Sequence, residues 1–298
     1  MAVESGVRTR REAEEATGRA IERGEVHFDF EVERRKATAV RVAKGLVALA
    51  LFLLAWQVVG EIVLYTKGID FPTPYDTIAR GMELLAGAEL YDRTIYDHTL
   101  SSLARWGIGY GLAAGAGIGL GLALGASRLM HDLSMTSVHI LQLIPGLAWV
   151  PIALLVFGLG ETATVFMIFM TALPPIAIST AMAVRTVPQN YIKVAQTMGM
   201  SSGHTFFHVH LPASALHIVN GLRIGLANGW RVLIAAEMVV GVALGLGYSI
   251  IQSRWSLDFE AAFVSIAVIC VIGLLIERFL FAAIEDRVMD RLGMTKEA

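Results

Sequence analysis

The chain has 298 residues, of which 55% are hydrophobic and 17% charged, with a net charge of −2 and a mean hydropathy of +0.60. Soluble domains carry about 25% charged residues, so a soluble fold of this length would leave much apolar surface in water. The charge balance argues against nucleic acid as a partner, and the single cysteine excludes an internal disulfide. The composition predicts an all-α protein embedded in a lipid bilayer.

The first forty residues differ from the rest of the chain. Residues 1–40 alternate acidic and basic side chains and contain no apolar segment of the kind found in a cleavable signal peptide. They predict a charged cytoplasmic N-terminal extension, which forms either a solvated helix or a mobile tail.

Six apolar segments follow, each near the ~20 residues that a helix needs to cross the hydrocarbon core of a bilayer. The predicted spans are 42–65, 100–126, 133–157, 162–184, 214–240 and 260–282. Only the sequence Gly-Leu-Gly-Glu at 158–161 separates the third span from the fourth, which predicts a tight hairpin. The fold class is therefore a polytopic membrane protein with about six transmembrane helices.

Lysine and arginine indicate the orientation, because cytoplasmic loops are enriched in both. The first 44 residues contain ten of them and the 158–161 turn contains none. Both termini are thus predicted to be cytoplasmic. The predicted regions are a peripheral first span at 41–66, an external loop with an amphipathic helix at 67–98, and a cytoplasmic tail at 285–298.

Glycines repeat every four residues along the second span in two sets, 107/111/115/119 and 117/121/125. Such a flat stripe lets a neighbouring helix approach closely. We therefore expect a structural role in helix packing for Gly111, Gly115 and Gly119. A nucleotide site is excluded, because no G-x-G-x-x-G follows a strand.

Prolines interrupt the third and fourth spans. Pro145 and Pro151 flank Trp149, and Pro174 and Pro175 are adjacent in the fourth span. In lipid, a carbonyl freed by proline must find another partner, so such kinks usually face protein or a water-filled cavity. The segment is predicted to bend around a translocation path, with a passive kink as the alternative.

Charged side chains inside a membrane are rare and usually functional. The fifth span contains Arg223, Arg231 and Glu237. Arg223 is near enough to the cytoplasmic end for its side chain to reach the interface. Arg231 lies deeper and needs a counter-ion, water or a passing anion. Two interpretations remain open: a structural ion pair with Glu237, or an anion-facing residue in the translocation path.

Catalytic and metal-binding patterns are missing from the sequence. His204 and His208 have helical spacing, but no cysteine or acidic residue is near enough in sequence to complete a zinc site. No P-loop, zinc-protease or serine-hydrolase motif occurs. We therefore predict that the chain is not itself catalytic and binds no cofactor or metal.

The loop 185–213 carries the strongest functional signal. A short helix is followed by Gly199, a second amphipathic stretch, and a span that begins near Pro212. This order predicts a compact protruding element. The small Ala195 and the flexible Gly199 suit insertion into a groove of a partner, with an ordinary interfacial loop as the alternative.

This loop resembles the EAA motif, E-A-A-x-x-x-G-x9-I-x-L-P, of permease subunits of ABC importers. Four positions match the motif, namely Ala195, Gly199, Leu211 and Pro212. Three positions depart from it, namely Lys193, Val194 and Val209. Lys193 replaces the first glutamate, so an ion pair at that position is not expected.

Further segments resemble the nitrate, sulfonate and taurine branch of that family, and the likeness covers about residues 95–293. They are S-L-A-R at 102–105, P-G-L-A-W-V-P at 145–151, F-G-L-G-E at 157–161, G-L-R at 221–223, A-E at 236–237 and G-L-G-Y at 245–248. The resemblance implies a type I ABC importer permease with its core at 99–284 and a coupling loop at 191–212. Arg223 and Glu237 match the family, whereas Arg231 replaces an apolar residue and is the candidate for tuning the substrate.

The resemblance also implies the partners. They are a second permease copy in a homodimer, two cytoplasmic ATPase subunits that bind ATP and Mg²⁺, an external solute-binding protein, and the lipid of the inner membrane. The implied solute is a small anion such as a sulfonate, taurine, nitrate or bicarbonate. An ion-coupled secondary transporter needs intramembrane acids, for which Glu237 and Glu277 are the candidates, and an intramembrane enzyme needs a nucleophile or a metal cluster.

Overall fold

The structure, a computed structural model, describes residues 25–292, with side chains from 39 to 279 and from 281 to 290. Most of the predicted N-terminal extension and the end of the predicted tail lie outside these residues. The α-helices are α1 (Glu25–Lys67), α2 (Pro74–Leu85), α3 (Ile95–Ala126), α4 (Arg128–Leu143), α5 (Val150–Phe157), α6 (Glu161–Arg185), α7 (Gln189–Thr197), α8 (Ser202–Thr205), α9 (Leu211–Val239), α10 (Leu246–Ser256), α11 (Phe259–Leu275) and α12 (Ala282–Leu292). A 3₁₀ turn (Gly146–Trp149), two π-helical turns (Phe206–His210 and Ile276–Phe281) and two short strands, β1 (Glu89–Leu90) and β2 (Arg93–Thr94), complete the described chain.

The chain divides into two units, residues 1–74 and 75–298. In the first, α1 is continuous, so the boundary predicted at residue 40 does not coincide with a break in the helix. Its apolar part, Ala39–Lys67, is long enough to cross a membrane. After the helix the chain turns back, and the Trp56 indole N–H donates to the carbonyl of Pro72 at 2.9 Å.

Four helices of the described residues are long and apolar enough to cross a membrane. They are Ala39–Lys67, Ile95–Ala126, Glu161–Arg185 and Phe259–Asp290. These four correspond to the predicted first, second, fourth and sixth spans. The number of candidate spans becomes five when α4 and the helical segment after it are taken as one span. Length and composition therefore support fewer than the six predicted spans.

The predicted third span, 133–157, is interrupted, which agrees with the bend predicted from its prolines. The chain breaks after α4, and the two helical halves are bent by 102°. Pro145 has no N–H to continue a helix, and the residue before a proline avoids helical geometry. Ile144 accordingly adopts φ −74° and ψ 117°. A turn of 3₁₀ helix then leads into α5.

The predicted fifth span corresponds to α9, which has 29 residues and is about 43 Å long at 1.5 Å per residue. It is not among the helices selected by length and apolar composition. It nevertheless lies against α6 for much of its length, because Gly221 faces Ser179 and Gly229 faces Ile168. The two helices therefore pack side by side.

The core is built around α6, which lies between glycine faces of α3 and α9. On α3, four glycines face α6. A Cβ added at Gly109 or Gly117 would lie 2.9 Å from Ile168 or Ile176, respectively. A Cβ added at Gly121 would lie 2.5 Å from Thr180, and one added at Gly125 would lie 2.7 Å from Val184. On α9, a Cβ at Gly225 would lie 2.6 Å from Ile176. Ile176 is thus held between two glycines, and close backbone approach replaces side-chain bulk in this packing.

The two glycine sets of the sequence behave differently. The 117/121/125 set packs on α6, as predicted. An added Cβ at Gly111, Gly115 or Gly119 would meet no described atom within 4 Å. The expected packing role of these three glycines therefore has no partner within the part of the chain that the structure describes.

Gly121→Ala is expected to destabilise the protein by about 1–3 kcal/mol, the usual cost of overpacking a core. The new methyl group would lie 2.5 Å from Thr180 Cβ and 2.6 Å from the carbonyl oxygen of Ala177. Gly119→Ala is the matched control, because it adds the same methyl group to the same helix in open space. Thermal unfolding in detergent should show a lower Tm for Gly121→Ala alone. Equal Tm values for the two variants would contradict this packing.

The amphipathic helix predicted within residues 67–98 is present as α2. Arg80 donates to Glu83 and to Asp258, both at 2.9 Å, which ties α2 to the turn before α11. Partial burial acts to lower the pKa of Arg80, but these two acidic partners outweigh it and raise the pKa above its ordinary value. The short β1–β2 hairpin that follows was not predicted. Leu90 and Leu246 belong to one buried cluster there, which holds the start of α3 against the start of α10.

Candidate functional site

A buried ion pair lies at one end of the core. The Arg105 guanidinium donates from Nη1 to Glu237 Oε1 at 2.6 Å and from Nη2 to Glu161 Oε1 at 3.1 Å. Arg105 and Glu237 are only 3% and 1% exposed. Glu237 is therefore paired with Arg105, and the expected ion pair between Glu237 and Arg231 is not formed.

Further hydrogen bonds hold the Glu237 carboxylate. The Ser102 hydroxyl lies 2.8 Å from both carboxylate oxygens, and the Gly247 N–H donates to Oε2 at 2.8 Å. A Cβ at Gly245 would lie 2.5 Å from the carboxylate, and one at Gly247 would lie 2.7 Å from Glu237 Cβ. Both positions therefore need glycine. These donors replace the water molecules that a carboxylate loses on burial.

His98 extends the network by one helical turn. Its Nε2 lies 2.9 Å from the Leu90 carbonyl oxygen, and the Gly245 N–H donates to Nδ1 at 3.1 Å. The side chain is fully buried. Sequence analysis did not single out Arg105 or His98, although His98, Ser102 and Arg105 have the spacing of one helical face.

The network explains why several sequence motifs occur together. Arg105 belongs to S-L-A-R, Glu161 to F-G-L-G-E, Glu237 to A-E and Gly247 to G-L-G-Y. They are far apart in sequence, yet the fold brings them to one buried cluster. The cluster joins α3, α6, α9 and the start of α10. Such a buried ion pair, held by several hydrogen bonds, serves as a structural anchor.

The coupling loop lies at the opposite end of α6, which is about 37 Å long at 1.5 Å per residue. It contains α7, whose end is closed by Gly199 at φ +78°. The Met200 N–H donates to the Ala195 carbonyl at 3.1 Å, which is the 6→1 bond of a glycine-terminated helix. Pro212 then lies in the first turn of α9. The short helix, glycine turn and proline-started helix are as predicted.

The surface of α7 is formed by large side chains rather than by Ala195. Ala195 is 3% exposed and faces the interior, and its part in coupling stays a prediction. Instead, Tyr191, Val194 and Met198 are 59%, 58% and 76% exposed. Their spacing puts them on one side of the helix. We call these three residues the coupling stripe. Of the other predicted coupling residues, Lys193 is exposed, and Val209, Leu211 and Pro212 are half-buried.

The residues predicted for the translocation path are only partly brought together. Pro145 and Pro151 are exposed, whereas Trp149 is buried in the core with its ring edge-on to Phe166. Gly146 packs so closely on α9 that an added Cβ would overlap Val232. The proline bend therefore contacts α9 next to Arg231.

Arg231 and Arg223 have different environments. Arg231 is exposed, and it donates from Nε to the Ala227 carbonyl and from Nη2 to Asn228 Oδ1, both at 3.0 Å. Arg223 donates to Glu285 at 2.9 Å and lies 5.6 Å above the centre of the Phe281 ring. Arg223 thus links α9 to the C-terminal helices, in keeping with its expected structural role. His204 and His208 stack with ring centres 4.6 Å apart. Within residues 25–292 no group of three or more metal-ligating side chains is found.

Three known proteins with similar sequences are all named as permease proteins. The chain is 32% identical over 244 residues to the nitrate import permease protein NrtB of Synechocystis, covering 80% of this chain and 87% of that protein. It is 34% identical over 234 residues to the bicarbonate transport system permease protein CmpB of Synechococcus elongatus, covering 76% and 83%. It is 30% identical over 237 residues to the taurine transport system permease protein TauC of Escherichia coli, covering 80% and 86%.

A solved structure has the same fold. The chain matches a protein of the MetNI methionine ABC transporter, in an inward-facing conformation, with a TM-score of 0.55 and 20% identity, over 63% of this chain and 93% of that one. Residues 115–290 match the family model of the binding-protein-dependent transport system inner membrane component. The chain therefore belongs to this family of inner-membrane components and is a permease subunit of an ABC importer.

Proposed function

We propose that two copies of this chain form the membrane path of an importer for a small anion, with both termini in the cytoplasm. Two cytoplasmic ATPase subunits drive it, and an external binding protein delivers the solute. Three relatives are named for nitrate, bicarbonate and taurine, of which two are anions and the third carries a sulfonate. The exposed guanidinium of Arg231 gives this chain a fixed positive charge on a membrane helix.

The observation that carries the coupling part of the proposal is the coupling stripe. It leaves three large apolar side chains exposed on a helix of nine residues between α6 and α9. Burying one such side chain contributes about 1.5–3 kcal/mol, so the stripe favours a partner with an apolar groove. That partner is the ATPase, which binds ATP and Mg²⁺ and whose closure moves the loop.

The main alternative is a secondary transporter driven by an ion gradient. Such a carrier needs an intramembrane acid that takes up and releases the coupling ion. Glu237 is the candidate, but Arg105, Ser102 and the Gly247 N–H already occupy its oxygens. Releasing Glu237 would leave the buried Arg105 with only the exposed Glu161 as its counter-ion, which is costly. The arrangement favours ATP as the source of energy.

Uptake into vesicles tests the proposal. The chain is reconstituted with its ATPase and binding protein, and uptake of labelled nitrate, bicarbonate and taurine is measured with ATP, without ATP, and with ionophores that abolish ion gradients. We expect uptake of at least one of these solutes that needs ATP and resists the ionophores. Uptake without the ATPase, driven by an ion gradient, would refute the proposal in favour of a secondary transporter.

A further inference from the structure

The exposed side of α9 is polar, which is unusual for a helix that crosses beside α6. The residues on this side recur at intervals of three and four, as one helical face requires. They are His217, Asn220, Ile224, Asn228 and Arg231, all exposed except the half-buried Asn228. We call this set the polar stripe.

Other membrane helices of the described chain expose apolar side chains. On α3, Leu100, Ile108 and Leu112 are 69%, 58% and 57% exposed, and on α11, Leu274 is 65% exposed. These surfaces suit lipid. An arginine facing lipid at the centre of a helix costs about 2.5–3.5 kcal/mol even on insertion scales. The polar stripe therefore suits a water-filled path.

The outer half of the polar stripe, Asn228 and Arg231, lies near the buried ion pair and is dominated by hydrogen-bond donors. Arg231 is fixed by the Ala227 carbonyl and Asn228 Oδ1, so its charge is held in place. No carboxylate pairs with Arg231 among the ion pairs of the described residues. A fixed, unneutralised guanidinium with planar donors is suited to an oxyanion.

The inner half of the stripe borders a cavity of about 300 Å³, lined by His217, Asn220, Arg223 and Glu285 among others. The imidazole and amide groups can each donate a hydrogen bond to an anion, whereas the Arg223 guanidinium is paired with Glu285. Asn220 and Arg231 are eleven residues apart, which is about 16 Å along a helix. Ile224, the one apolar member of the stripe, lies between the two polar groups.

We propose that the polar stripe lines the water-filled anion path, with one anion subsite at Asn228 and Arg231, a second at His217 and Asn220, and Ile224 as an apolar constriction between them. This inference rests on the proposed import of a small anion, and it assigns the residues that select the charge. Donors at both subsites replace the hydration shell of the anion, while Ile224 offers it no hydrogen bond. An anion therefore pauses on either side of Ile224.

Cysteine labelling tests the stripe without depending on uptake. Cys270, the one cysteine of the chain, is replaced by serine, and single cysteines are placed at Asn220, Ile224 or Asn228. Leu274→Cys, on the apolar surface of α11, is the matched control. The reconstituted complex with its ATPase and binding protein is treated with a negatively charged and a positively charged methanethiosulfonate reagent of similar size.

We expect the stripe cysteines to react with these water-soluble reagents and Leu274→Cys not to react. At Asn228→Cys, the rate of labelling by the anionic reagent should fall about fivefold when Arg231→Gln is added, which is the effect of one unit charge at about 4 Å in water. Adding nitrate should slow labelling at Asn228→Cys only when Arg231 is present.

Two results would overturn the inference. Stripe cysteines that stay as unreactive as Leu274→Cys would mean that the face packs against lipid or a second copy. Labelling whose charge preference is unchanged in Arg231→Gln would remove the anion subsite. If ATP-driven uptake persists in either case, the proposed import function is retained and the anion path lies elsewhere in the protein. If charge-selective labelling is observed without ATP-driven uptake, the polar stripe is retained as the anion path and ATP is wrong as the energy source.

Discussion

Replacing Arg105 by methionine is expected to lower the free energy of unfolding by about 3–5 kcal/mol, the cost of breaking a buried ion pair from one side. The variant leaves Glu237, which is 1% exposed, charged and without its cation. It also removes the link from Glu161 at the start of α6. The change in Tm by thermal unfolding in detergent, together with denaturant titration in mixed micelles, measures the effect.

Two variants sharpen this test. Arg128→Met makes the same substitution at an exposed position, so it should change the free energy of unfolding by no more than about 0.5 kcal/mol. Adding Glu237→Gln to Arg105→Met should restore part of the stability, because glutamine carries no charge and still accepts from the Gly247 N–H. If the two substitutions were simply additive, the ion pair would not be the anchor that its geometry indicates.

Val194→Asp is expected to abolish binding of the ATPase while leaving the membrane fold intact. Val194 is 58% exposed at the centre of the coupling stripe, so the substitution itself strains nothing in the chain. In the complex the new carboxylate would be buried without a partner, and such an unpaired charge costs several kcal/mol. A loss of 1.4 kcal/mol lowers affinity tenfold, so we expect a reduction of more than about a hundredfold.

Gln196→Asp is the matched control, because it puts the same carboxylate on an exposed polar side of the same helix. The ATPase affinity of purified complexes and ATP-dependent uptake should be retained by Gln196→Asp and lost by Val194→Asp, with equal Tm values for the two permeases. If Val194→Asp bound the ATPase as well as Gln196→Asp does, the coupling stripe would not be the docking surface.

Hydropathy was sufficient to locate α1, α3, α6 and α11, because each exposes or buries apolar side chains over a full span. It did not reveal that the third span is broken, because an average over a window ignores the backbone at Ile144 and Pro145. The prolines were noted in the sequence, but their direction of bending depends on packing against Val232. Neither the hydrophobic pattern of the segment nor the helix propensity of its residues predicts the contact with Val232.

The candidate site was predicted as a set of positions rather than as contacts. Arg105 and Glu237 are 132 residues apart, and the sequence gives no reason to prefer that pairing over Arg231 with Glu237. The EAA-like spacing predicted the order of short helix, glycine turn and proline-started helix that the structure shows, and the coupling role of this loop stays a prediction. Which side of α7 is exposed depends on how the helix packs on its own loop, and the spacing contains no information on that packing.

Ile176 lies between Gly117 and Gly225, and Ile168 between Gly109 and Gly229. Each isoleucine occupies a notch that only a glycine leaves open, so α6 cannot slide along its neighbours without a collision of side chain and backbone. Packed interfaces of this kind have discrete arrangements rather than a continuous range. We therefore expect α3, α6 and α9 to move as one rigid body during transport. A displacement of α7, at one end of α6, would then rotate the polar stripe of α9 along its whole length.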